Sequence, residues 1–195
     1  MSFVFPLTNF RADPAPIRRK FMTHVPLTGV ERTFPVDDVI VTKTDTAGVI
    51  TYANDVFLHV AGLTEPQAIG APHSIIRHPA MPRAVFKFLW DRVGAGAEVF
   101  AYVVNMASNG DHYWVFAHVT PTYGDDGKII GYHSNRRVPD RDAIKAVEPI
   151  YAELKGIEDR ASDRALGLEQ STAALVAFLT QRKISYDELI FSLSR

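Results

Sequence analysis

The sequence predicts an α+β fold. Five antiparallel strands form one sheet, short helices are segregated on one face, an irregular arm precedes them and helices follow. Three observations predict it. Two short β-branched runs, Val39–Thr44 and Val49–Tyr52, flank the turn Asp45-Thr-Ala-Gly48. Further on, Asn109-Gly110 and Asp126-Gly127 separate three longer runs of strand character, and both dipeptides are strong hairpin signals. Between the two groups lie segments of helical spacing with no strand among them, so strands and helices do not alternate as they would in a parallel α/β sheet.

In order, residues 1–36 carry Pro6, Pro14, Pro16, Pro26 and Pro35 without sustained periodicity and read as an arm, with a short helix expected around Ile17–Met22. Phe3, Phe5 and Phe21 could pack the arm on the domain. Residues 37–138 form the expected domain. After the first hairpin, Asn54 or Asp55 can cap a short helix that Gly62 ends, and Thr64–Ile69 reads as one helical turn stopped by Gly70. Met81–Val93 is the clearest helix here, with Val85, Phe88, Leu89 and Val93 on one face and Phe86 and Trp90 beside it. Gly94-Ala-Gly96 stops it. The last strands are expected at Glu98–Ala107, His112–Thr122 and Lys128–Arg137. Residues 139–195 read as a helical extension. Asp140 caps a helix with Ile144, Val147, Tyr151, Leu154 and Ile157 in register, and Pro149 is expected to kink or break it. Ser162-Asp163 starts another, whose stripe is Ala165, Leu168, Thr172, Leu175 and Leu179, and a last short helix is expected near Tyr186–Leu193. That stripe is shorter than three heptads. Packing onto the domain, dimerisation and partner binding all remain open for it.

Composition narrows the function. The 195 residues are 47% hydrophobic and 22% charged with a net charge of −1, so no overall field favours nucleic acid. Charge is uneven: Arg11, Arg18, Arg19, Lys20 and Arg32 face only Asp13 and Glu31 in the arm, which reads as a solvated tail or a basic contact. The absence of cysteine removes disulfides, thiolate metal sites, c-type haem attachment and flavin–cysteinyl photochemistry. No apolar run is long enough to cross a bilayer and the N-terminus lacks a secretory pattern, so a cytoplasmic protein without a membrane span is expected. There is no Gly-rich phosphate loop, GxSxG or HExxH, and Asp111 and His112 would face opposite ways on a strand, so no enzyme is expected.

Three segments carry a resemblance: Ile50-Thr-Tyr-Ala-Asn-Asp55, Pro72-His-Ser-Ile-Ile-Arg-His-Pro79 with Met81-Pro82, and Asn109-Gly-Asp-His-Tyr-Trp-Val115. In this order and spacing the chain resembles the PAS sensory domains of the bacterial aerotaxis receptor family, from about Asp37 to Arg137 and on into Ala146-Val-Glu-Pro149. The resemblance implies a PAS fold that holds FAD non-covalently and reports redox state or oxygen to a chemotaxis-type signalling partner. It places Asn54, Arg77 and His78 around the flavin. Two positions depart from the family pattern, which has Asp where Ala80 stands and Trp near Val99. With no signalling domain of its own to drive, the output is expected in trans, through a signalling partner or a homodimer.

A flavin ring needs apolar walls and a few fixed polar groups at its rim. Trp90, Trp114, Phe100 and Tyr102 could supply walls, and His73 joins Arg77, His78 and Asn54 as a candidate polar contact. Each has a plainer reading. Arg77 could pair with a surface carboxylate, His78 could be a turn residue, Asn54 and His73 could cap helices, and both tryptophans could be core. Haem b through one axial histidine is an alternative, with His59, His73, His78, His112, His118 and His133 near the expected cavity. A module with no cofactor, or one for a small metabolite, is another.

Overall fold

The computed structural model describes residues 25–193. Strand β1 (Ile40–Asp45) turns through Gly48, at φ +79°, into β2 (Ile50–Ala53). Three short elements follow: α1 (Asp55–Ala61), α2 (Glu65–Ala68) and a 3-10 turn at His73–Ile76. Helix α3 (Arg83–Gly94) leads to β3 (Val99–Met106), β4 (His112–Tyr123) and β5 (Ile129–Arg137). All pairings are antiparallel, in the order β2-β1-β5-β4-β3, so the first hairpin docks beside the last strand. That adjacency encloses space between the sheet and the short helices.

Period-two alternation divides the sheet. The inner face carries Ile40, Thr42 and Thr44 of β1, Val99 to Asn105 in alternation on β3, Tyr113 to Val119 on β4, and Tyr132, Ser134 and Arg136 on β5. The outer face carries Phe100, Tyr102 and Val104 opposite His118, Phe116 and Trp114.

The C-terminal helices α4 (Arg141–Arg160), α5 (Arg164–Arg182) and α6 (Tyr186–Ser192) cover part of that outer face and one flank. Tyr151 of α4 stacks on Trp114 and donates to the Tyr102 carbonyl at 2.8 Å, and Phe191 of α6 meets Phe100 and Phe116. The sequence predicts a kink or break of helix α4 at Pro149, and the helix is not broken there. One lost backbone bond is outweighed by the buried stripe Ile144, Val147, Tyr151 and Leu154. Helix α5 is rotated from the expected stripe. Ala165 is exposed, whereas Gly167, Ser171 and Leu175 are buried against α3 and α4. Small residues let the helices approach closely: a Cβ on Gly167 would stand 2.8 Å from the Glu158 carbonyl oxygen.

Helix α3 begins at Pro82 with no cap of its own. Glu158 of α4 supplies one, accepting from the Ala84 amide at 3.0 Å, from Arg83 Nε at 2.9 Å and from Ser171 Oγ of α5 at 2.8 Å. Burial alone would raise its pKa, but these hydrogen bonds outweigh that and hold it below the usual carboxylate value. At the other end, the described part of the arm lies beside the start of β4. The Arg32 amide donates to the His112 carbonyl and the His112 amide to the Val30 carbonyl, and Asp111 accepts from Thr28, Asn109 and Arg32, which lowers its pKa to about 2. The helix expected at Ile17–Met22, and Phe3, Phe5 and Phe21, fall outside the described residues.

Candidate functional site

The inner face and the helices enclose a cavity of about 80 Å³. Strand residues Thr42, Thr44, Asn105, Ser134 and Arg136 give its polar floor. Ile76, Phe86, Leu89, Val103 and Val119 give apolar walls, and Trp90 and Tyr132, in edge contact at 5.2 Å, are partly exposed beside them. No aspartate or glutamate is among the described residues lining it.

Arg136 is the chemical centre of this space. It is 3% exposed, yet no carboxylate among the described residues pairs with it. Its Nε donates to Ser134 Oγ, and Nη2 reaches Thr42 Oγ1 at 2.5 Å and His73 Nε2 at 2.6 Å. The Phe57 ring lies 5.7 Å away. Burial lowers its pKa to about 10, so the guanidinium stays charged at neutral pH. A guanidinium only donates, so His73 Nε2 must accept, and His73 is the neutral Nδ1-protonated tautomer. Burial, then the charges of Arg136 and Arg77, hold its pKa well below the ordinary histidine value.

Arg77 closes the cavity from the side. The 3-10 turn ends on it, and its backbone bridges to Asn105 of β3. Its guanidinium lies 4.4 Å from the Phe86 ring centroid. Burial first, then the charge of Arg164, lowers its pKa.

Four buried polar atoms on the lining have no hydrogen-bond partner among the described residues: Thr44 Oγ1, Arg77 Nε, Asn105 Nδ2 and Arg136 Nη1. Each costs about 1–3 kcal/mol if left unmade, and native interiors hold few such atoms. Three are nitrogen donors and one is a hydroxyl. A flavin's rim, rich in ring nitrogens and carbonyl oxygens, is complementary to that set, and the apolar walls suit its faces. In chemistry the residues fit the group. In volume the cavity is below the roughly 300–1,000 Å³ of a drug-sized site, so a ring requires side chains to give way, Phe86, Trp90 and Tyr132 being partly exposed aromatic ones. Haem fits less well. His73 is the one histidine on the lining, and its Nε2 is taken by Arg136. No group of three or more metal-ligating side chains is found among the described residues.

A PAS-fold family model matches residues 50–136. This part of the chain is a PAS domain. The aerotaxis receptor of Escherichia coli (strain K12) is 42% identical over 118 residues, covering 60% of this chain and 23% of the receptor. A blue-light-activated histidine kinase of Rhizobium johnstonii is 24% identical, covering 65% of this chain and 37% of the kinase. This chain thus matches only a quarter to about a third of those relatives' lengths. Among solved structures, a light-oxygen-voltage domain studied with a flavin analogue aligns at TM-score 0.50 and 16% identity, covering 63% of this chain and 87% of that one, a likeness of fold. The matched segment ends at Arg136, so α4 to α6 lie beyond the PAS match.

The structure divides the six candidate residues. Arg77, His73 and Trp90 line the cavity together. His78 does not; it faces a second cleft next door, with its ring 5.8 Å from His112. Asn54 is corrected to a local role: its Oδ1 accepts from the Phe57 and Val41 amides and its Nδ2 donates to the Val39 carbonyl, fastening α1 to β1. Trp114 is corrected too, with Phe100 and Tyr102. Strand alternation places all three on the outer face, where Trp114 meets Tyr151. Arg136, Asn105 and Thr44 were missed. Arg136 sits in the run Asn135-Arg136-Arg137, and only the pairing of Arg136 with Ala117 on β4 says which arginine points inward.

Proposed function

We propose that this chain is a sensor rather than an enzyme. Its PAS cavity holds FAD and reports redox state or oxygen to a signalling partner in trans. One observation carries the reading: an acid-free, apolar-walled cavity into which four unpartnered polar atoms and an unpaired buried guanidinium are gathered. The likeness to the aerotaxis receptor supports it.

A bound flavin supplies a redox centre whose reduction changes the charge and protonation of its ring. The chain's own residues set how that change is felt. Arg136 and Arg77 bring positive charge that favours electron density on the ring, and His73, Thr42 and Ser134 fix Arg136 in place. Asn105 offers an amide donor from the floor. Arg77 is joined through His78-Pro79-Ala80 and Met81-Pro82 to the start of α3, which Glu158 bolts to the C-terminal helices. A shift of Arg77 therefore has a short covalent route to α4 and α5.

The absorption spectrum of the freshly purified chain tests the reading. Two broad flavin bands, present or regained on adding FAD, are expected. A protein that stays colourless with excess FAD overturns it. The small cavity volume favours a second reading, a carboxylate-bearing metabolite held by Arg136 and Arg77. For that reading, colourless protein should gain thermal stability with short dicarboxylates.

A further inference from the structure

Beside the cavity lies a cleft of about 430 Å³, bounded by the Arg77–Met81 segment on one side and by the end of α4 and the start of α5 on the other. Arg77 is the residue that lines both spaces. The cleft's three carboxylates are all engaged. Glu158 is saturated by Arg83, Ala84 and Ser171; Asp159 pairs with Lys155; and Asp163 accepts from the Ala165 and Leu166 amides as the cap of α5. Arg83 is satisfied by Glu158 and the Arg164 carbonyl. That accounting leaves two cations over, Arg77 and Arg164. Neither guanidinium has an anionic partner among the described residues. They are near enough for the charge of Arg164 to depress the pKa of Arg77. Two like charges line this cleft, and its one carboxylate without a cation partner, Asp163, is turned to the α5 amides; such a pair suits a doubly charged, oxygen-rich group, which guanidinium forks bind well.

We propose that this cleft is a phosphate site, in which Arg77 and Arg164 grip the phosphate of a nucleotide whose ring occupies the cavity. This rests on the flavin reading and deepens it. Arg164 belongs to the first turn of α5, outside the segment matched to the PAS fold, so the C-terminal hairpin contributes directly to ligand binding. His78 borders the same cleft, with Nδ1 accepting from the Ala80 amide at 3.2 Å, which leaves Nε2 for the ligand side. The arrangement also gives the site a signalling consequence. A ligand bridging Arg77 and Arg164 ties the cavity wall to the hairpin, so release of the ligand frees the hairpin on that side.

The test compares riboflavin, FMN and FAD binding by calorimetry on the full chain at low ionic strength, with Arg164→Gln and Arg77→Gln. Arg164 is exposed at a helix start, so Arg164→Gln should fold normally. Loss of one charge-assisted contact is expected to weaken FMN and FAD binding roughly tenfold while leaving riboflavin unchanged. The advantage of FMN over riboflavin should shrink as salt is added. Equal affinity for riboflavin and FMN, or an Arg164→Gln variant with an unchanged ratio, overturns the phosphate site even if flavin binds. If no flavin binds, the flavin reading fails separately. Inorganic pyrophosphate then decides the site: a rise in Tm in the wild type that Arg164→Gln abolishes sustains it for another phosphate-bearing ligand, and no rise overturns it.

Discussion

Replacing Glu158 by alanine should be among the most damaging single changes in the chain. The side chain is 1% exposed and accepts three hydrogen bonds, from a guanidinium, a helix-terminal amide and a hydroxyl. Bonds to charged groups contribute about 1.5–3 kcal/mol each. Their simple sum overshoots, because Arg83 is 20% exposed and regains some hydration. Breaking a buried pair by removing one partner costs about 3–5 kcal/mol, and that range is expected here. At roughly 2–4 °C per kcal/mol for a chain of this size, Tm should fall by about 6–20 °C. Glu158→Gln keeps an acceptor for Ala84 and Ser171 but turns an amide donor on Arg83, so its loss should be smaller. Urea unfolding followed by circular dichroism, with midpoint and slope fitted for both variants, measures this. The group's lowered pKa means that its contribution is present above the unfolded carboxylate value and is lost as pH falls through the folded one, so the gap between wild type and Glu158→Ala should narrow in acid. A cost below about 1 kcal/mol, the size of an exposed pair, would refute the claim that α4 caps α3.

Three further outcomes are expected. His73 is held neutral by burial and by Arg136 and Arg77, so the stability it contributes is full above pH ~6.5 and declines below it by at most about 1.4 kcal/mol per pH unit; His73→Asn should flatten that part of a stability–pH curve measured by chemical denaturation. Arg136→Met removes a buried cation that no carboxylate among the described residues balances, so the ligand-free protein should lose no more than about 1 kcal/mol, while ligand binding is abolished; a large loss in urea with binding intact contradicts the role given to Arg136. Gly110 sits at φ +93° with the Pro26 carbonyl oxygen 2.0 Å from where a Cβ would lie, so Gly110→Ala should dislodge the arm near Pro26, read as faster proteolysis there with the sheet intact.

The sheet and short helices were legible because their signals are local. Asn109-Gly110 and Asp126-Gly127 mark turns, and Asn54 and Gly62 mark the ends of α1 by their own side chain and backbone. The C-terminal helices were legible as helices but not in their orientation. Leu168 and Thr172 look like core by hydrophobicity, but helix-to-helix distance decides, and Gly167 and Ser171 allow the closer approach. The site was legible only where it sits on a loop. Arg77 follows a recognisable proline-histidine segment, whereas Arg136 and Asn105 owe their position to strand register across pairs far apart in sequence. Trp114 failed for the same reason, since a one-residue change of face separates a cavity wall from an outer-face contact.

Two buried charges, Glu158 and Arg136, are treated very differently by the fold. Glu158 is given three donors from three helices and has no capacity for a ligand, which is the chemistry of a fixed joint. Arg136 is given two hydroxyls and a neutral imidazole, all uncharged, and one of its nitrogens is left without a partner. A buried guanidinium left without a counter-charge is costly. A hydrophobic residue facing Ala117 would fill the space at less cost. The proposed ligand would account for the cation. Under the proposed function, charge arriving in the cavity has a short covalent path to the joint at Glu158, the loop from Arg77 to Pro82.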